Sequence, residues 1–322
     1  ARGFWAGIPW ALKMLLGHLV DLIWRHKAVL VYLGAAMLTA NLLIMIGLLG
    51  ERAAMAAIMP VEAWYVLAVL LAPVGYVVQD VVADAMTVEA VPRVDADGRP
   101  IDPAVRKLMH TTMQTLGRVA IIGGGVLVAL ANVYLFAGVE GMSEADKVAT
   151  YIHIYEMALA IPLVSILGVA LAAFIKRRDL RRLMAKGLGR AEAMRRLEHP
   201  LEKTYPNWWI LGGSLVFVVF TLSLGLMEVP YNQEIIFVGS MVIIIFLMSR
   251  LLRALDQEAR LYLVGTAFII FVFRAMPGPG SGQTWWMIDE LAFDQQFLSV
   301  LSLIGSSLTL LGLFMFRRFM AE

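Results

Sequence analysis

The chain has 322 residues, 60% hydrophobic and 16% charged, with a mean hydropathy of +0.76. Water-soluble domains run near about 45–50% apolar and about 25% charged, so this composition excludes a disordered chain, a nucleic-acid-binding domain and almost any water-soluble enzyme. There are no cysteines, which removes disulfides, thiolate metal sites and cysteine nucleophiles, and the net charge of +2 matters less than where the charges sit.

A bilayer core about 30 Å thick takes about 20 mostly apolar residues per helix. Nine segments qualify, in chain order 3–24, 28–49, 62–90, 106–137, 150–175, 207–227, 233–250, 259–277 and 295–316. The expected fold is all-α, a polytopic membrane bundle of about nine transmembrane helices. The third and fourth segments exceed a perpendicular span, which implies tilt or extension into water. The first residue is Ala, and Phe4 onward already reads as mid-helix. No cleavable leader is expected, and the chain is expected to begin inside a longer protein.

Lys and Arg, not net charge, set the orientation. With the 25–27 loop in the cytoplasm and strict alternation, 21 of the 27 Lys and Arg fall on the inner side. Arg2, Arg52 and Lys147 fall outside, and Lys13, Arg118 and Arg274 lie within spans. The stretch KRRDLRRLMAKGLGRAEAMRRLEHPLEKTYP, residues 176–206, holds ten of the inner cations. Its Leu and Met spacing suggests an amphipathic helix on the anionic inner leaflet, ended by Pro200 and Pro206; a charged linker that enforces topology explains it as well.

Ionisable groups inside spans are costly and face a cavity or one another. Lys13 is about 15 Å into its helix and Arg118 about as deep in the fourth span. Asp80 and Asp84, four residues apart, share one face of the third span. They suit either a locking pair with Lys13 or Arg118, or a coupling role. Glu156 and His153 lie one turn apart in the outer part of the fifth span, where the headgroup region is within reach. Arg274 precedes Pro277 near the outer end of the eighth. Gly123, Gly124 and Gly125 read as tight helix packing. The five His show no metal-ligand spacing, so no metal and no cofactor are expected.

The pattern GHLVDLIWRHK places Gly17, Asp21, Arg25 and Lys27 between the first two spans. It resembles the G-x-x-x-D-basic loop of the major facilitator superfamily. In such a loop Gly17 allows close helix approach, Asp21 serves gating and folding, and the two cations hold the loop inside. Three longer stretches, IPWALKMLLGHLVD from Ile8, GYVVQDVVADAMTVEA from Gly75 and the segment from Phe273 to Gly312, resemble the folate-biopterin transporter family. That family has a P-W-x-x-K-x-x-x-G helix, a D-x-x-x-D-A helix and a P-x-P loop leading to E-L-x-F, in this order.

The resemblance implies that residues 1–175 are an N-terminal facilitator half, helices two to six, followed by the basic linker 176–206. Residues 207–250 become an extra transmembrane hairpin and 251–322 the start of the C-terminal half, helices seven and eight. The hairpin could itself be helices seven and eight; Pro277-Gly278-Pro279 favours the insertion. The implied function is a secondary active transporter of a small anionic solute, folate- or pterin-like, working by alternating access with proton coupling. Lys13, Arg118 and Arg274 would contact the solute, while Asp80, Asp84 and Glu156 would serve as coupling or charge-pair groups. The rival is a facilitator-like protein that does not transport but delivers pigment or scaffolds an assembly. Either way the partners are a small-molecule solute and the lipid bilayer, with no nucleic acid, no enzymatic activity and a bacterial inner-membrane location. The sequence leaves the oligomeric state unknown.

Overall fold

A computed structural model describes residues 13–23, 26–89, 91, 99–187, 189–197, 205–227, 229–253, 255–276 and 280–321. Thirteen α-helices run through them: α1 Lys13–Leu22, α2 Lys27–Gly50, α3 Arg52–Ile58, α4 Val61–Glu89, α5 Pro103–Leu135, α6 Glu144–Ala158, α7 Ala160–Ala185, α8 Arg190–Leu197, α9 Trp208–Leu226, α10 Asn232–Leu252, α11 Gln257–Ala275, α12 Gly280–Asp289 and α13 Gln295–Ala321. No β-strand occurs among the described residues. Among the described residues seven helical segments are long and apolar enough to cross a membrane: α2, α4, α5, the α6–α7 pair, α9, α10 and α13. The chain is an all-α, multi-pass integral membrane protein.

Seven of the nine expected spans are thus present in full. Half of the first, 3–24, lies outside the described residues, and α1 falls in its second half. The eighth corresponds to α11, 19 residues whose ends carry Glu258, Arg260 and Arg274. Two short helices arise where loops were expected. The Ala-rich α3 is favoured by helix propensity, and the Trp64 indole N–H donates to the Met55 carbonyl at 3.0 Å. The other is α12, in the expected outer loop.

Local chemistry sets the boundaries. Asp102 caps α5, accepting from the N–H groups of Ala104 and Val105, with Pro103 in the first turn. The fifth expected span is broken at Leu159. Pro162 has no N–H to offer the Ala158 carbonyl, and Leu159 makes a tighter bond to Glu156 instead. In the linker, α7 continues through residue 185 without a break and ends on Gly187, whose φ of 88° is open to glycine.

The chain forms two compact units, residues 1–85 with 151–244, and 86–150 with 245–322. These units cut across the boundaries expected at 175, 206 and 250. The basic linker and the 207–227 span fall in the first unit, while the fourth span falls in the second because α13 packs along α5. In the first unit α2 packs on α7, α9 on α1 and α8 on α7. Its core is a valine cluster, Val20 of α1 with Val77, Val81 and Val82 of α4, joined by Leu16, Leu30, Val31 and Ala85.

Candidate functional site

The valine cluster fixes how α4 is turned. Residues four apart stack on one helix face, so the turn that buries Val77 and Val81 aligns Asp80 with Asp84. Both carboxylates close on Lys13 of α1. The ammonium donates to Asp80 Oδ2 at 2.6 Å and lies 2.7 Å from Asp84 Oδ2. The acids are not equivalent: the Asp80 side chain is 16% exposed and that of Asp84 64%. Fully ionised, the three side chains sum to one net negative charge, so Lys13 is a cation already held by two anions.

Beside Asp80, the Gln79 amide joins three helices. Its Nε2 donates to the Val31 carbonyl of α2 at 3.2 Å, and its Oε1 accepts from Ser165 Oγ of α7 at 3.2 Å. The amide is accommodated because residue 34 has no side chain: a Cβ at Gly34 would stand 2.6 Å from Gln79 Cγ. At the inner end of the same unit, His18 Nε2 of α1 accepts the Asn207 backbone N–H at 2.8 Å, and the Asn207 side chain caps α9. Sequence reasoning passed over Gln79, Ser165 and His18. The cost argument that singled out buried charges applies to an amide in an apolar span too, and would have found Gln79.

The other candidate residues are dispersed. Arg118 is exposed on α5 in the second unit and has no ion pair among the described residues. Arg274 is exposed in the last turn of α11, where a cation suits the helix dipole. Glu156 pairs with His153 on its own helix, Oε2 to Nδ1 3.6 Å, and both are more than half exposed. Asp21 is exposed in the last turn of α1 and Lys27 opens α2. Arg25 and the Pro277-Gly278-Pro279 segment lie outside the described residues.

Two packing expectations find no counterpart among the described residues. A Cβ at Gly17 would meet no described atom within 4 Å, and the same holds at Gly123, Gly124 and Gly125. A close approach does occur at Gly34 and Gly75, where each glycine faces the other's carbonyl oxygen together with nearby side chains.

Among the described residues no group of three His, Asp or Glu is placed to hold a metal ion. Fold and site together define a multi-pass helical membrane protein with a lysine clamped by two aspartates inside one helical unit. Comparison with models of known protein families, with curated proteins and with solved structures finds no match.

Proposed function

We propose that the chain is a secondary active transporter of a small anionic organic solute, folate- or pterin-like, working by alternating access in a bacterial inner membrane with a coupling proton. The observation that carries the reading is the Lys13 clamp, a lysine on α1 bound by one half-buried and one exposed carboxylate of the apolar helix α4. Intramembrane ionisable groups of this kind mark solute and proton pathways. The solute class comes from the resemblance to the folate-biopterin transporter family.

The exposures divide the labour. Asp80, half-buried, is the fixed counterion. Asp84, more than half exposed, is the partner that a solute carboxylate displaces from Lys13. Asp84 then carries the coupling proton. Arg118 and Arg274, in the second unit, are separate candidate anion contacts, and the Glu156–His153 pair a separate candidate coupling group.

Proteoliposomes given a pH gradient and labelled folate test the reading. The expected result is saturable uptake that Lys13→Ala abolishes while the variant still inserts. No saturable uptake of folate or of simpler pterins by the unaltered chain would reject transport of this class. It would favour the facilitator-like protein that delivers pigment or scaffolds an assembly.

A further inference from the structure

The basic stretch after the fifth span is a folded hairpin held at the membrane face. The last ten residues of α7, 176–185, continue the membrane helix for about 15 Å. Gly187, in the left-handed region, turns the chain, and α8 packs back on α7 with Ala193 wholly buried. Past α8 the chain is pinned again, where the Asn207 N–H meets His18 at the start of α9. The hairpin therefore begins and ends on elements of one compact unit.

Its two faces differ in chemistry. Leu180 and Leu183 are partly buried, whereas Arg177, Arg181, Lys186 and Arg190 are exposed and have no acidic partner among the described residues. Asp179 lies 3.3 Å from Arg178 Nε and 3.9 Å from Arg182 Nη1, and so pairs with neither Arg177 nor Arg181. A topology signal requires only that the charges be present. A hairpin with buried apolar positions holds them on one folded element that starts at the end of the apolar span, with Arg177 and Arg181 within about a Debye length of that end.

We propose that the α7–α8 hairpin is a binding surface for anionic phospholipid, with Arg177, Arg181, Lys186 and Arg190 engaging headgroup phosphates. The complementarity favours the bilayer over a soluble acidic partner because the cations begin directly at the end of the apolar span. Neutral lipid offers phosphates too, but each is balanced by its own ammonium, so net-negative headgroups are preferred.

The test uses the full chain in nanodiscs of phosphatidylcholine alone or with a minor share of phosphatidylglycerol, read by amide hydrogen exchange. Phosphatidylglycerol is expected to slow exchange across 176–197 severalfold and to leave α2 and α4 unchanged. A variant with Arg177, Arg181, Lys186 and Arg190 replaced by Gln should lose that difference while α2 and α4 keep their protection, which shows that it folds. Equal protection in both bilayers, or an undiminished effect in the variant, overturns the proposal. Protection produced in phosphatidylcholine by inorganic phosphate alone, or by polyglutamate alone, would assign the surface to a soluble anion or an acidic peptide and overturn it too. None of these readouts involves solute uptake, so the result stands apart from the transport reading.

Discussion

Gly34 and Gly75 meet backbone to backbone where α2 passes α4. A Cβ at Gly34 would stand 2.7 Å from the Gly75 carbonyl oxygen, and one at Gly75 would stand 2.8 Å from the Gly34 oxygen. The second position is also closed by Met37 Cβ at 3.1 Å and Leu38 Cγ at 3.2 Å. Overpacking of this kind costs about 1–3 kcal/mol. Gly75→Ala is therefore expected to lower the melting temperature in detergent, whereas Gly124→Ala, facing open space, should be neutral or gain up to about 1 kcal/mol from helix propensity. Equal losses at the two sites would refute the close approach.

The clamp predicts unequal costs for its two acids. Asp84→Asn removes an exposed partner and should cost about 0–1 kcal/mol. Lys13→Ala leaves the half-buried Asp80 carboxylate without its cation, and losing a charged hydrogen-bond partner of this kind costs about 1–3 kcal/mol. Lys13→Met combined with Asp80→Leu should recover much of that loss. Thermal unfolding of the four proteins decides the matter, and a double variant no more stable than Lys13→Ala would show that the pair is not what holds α1 to α4.

Gln79 and Ser165 should couple. Gln79→Ala releases two part-buried hydrogen bonds, for about 1–3 kcal/mol, while Ser165→Ala should cost about 0.5–1.5 kcal/mol. The two changes share one hydrogen bond, so the double variant should lose less than the sum. Strict additivity in a double-mutant cycle would place the two side chains out of contact.

Orientation has a direct check, because the chain has no cysteine of its own. Lys186→Cys, beyond the end of α7, should resist an impermeant thiol reagent in intact cells. Gln283→Cys, exposed on α12, should react. The reverse pattern would invert the assignment drawn from the 21 inner cations.

How much was readable in the sequence follows from which forces are local. Apolar runs of the right length are a one-dimensional property, so α2, α4, α5, α9, α10 and α13 lie close to where hydropathy puts them. The i,i+4 spacing of Asp80 and Asp84 is equally local, and a lysine in the first expected span was a natural partner. Glycine contacts are not local. Gly34 and Gly17 look alike along the chain, and only the crossing of α2 with α4 distinguishes them. The same holds for the unit boundaries, since the packing of α13 along α5 joins segments far apart in sequence and no periodicity signals it.

The Lys13–Asp80 pair joins residues 67 positions apart, which has a consequence for biosynthesis. Chains are made at about 5–20 residues per second, so Asp80 leaves the ribosome roughly 3–13 s after Lys13. During that interval the helix bearing Lys13 reaches the insertion machinery with its ammonium uncompensated, at a cost of about 2.5–3.5 kcal/mol on the insertion scale. The helix bearing Lys13 is therefore costly to integrate until α4 follows it with the two carboxylates that Lys13 meets in the folded protein.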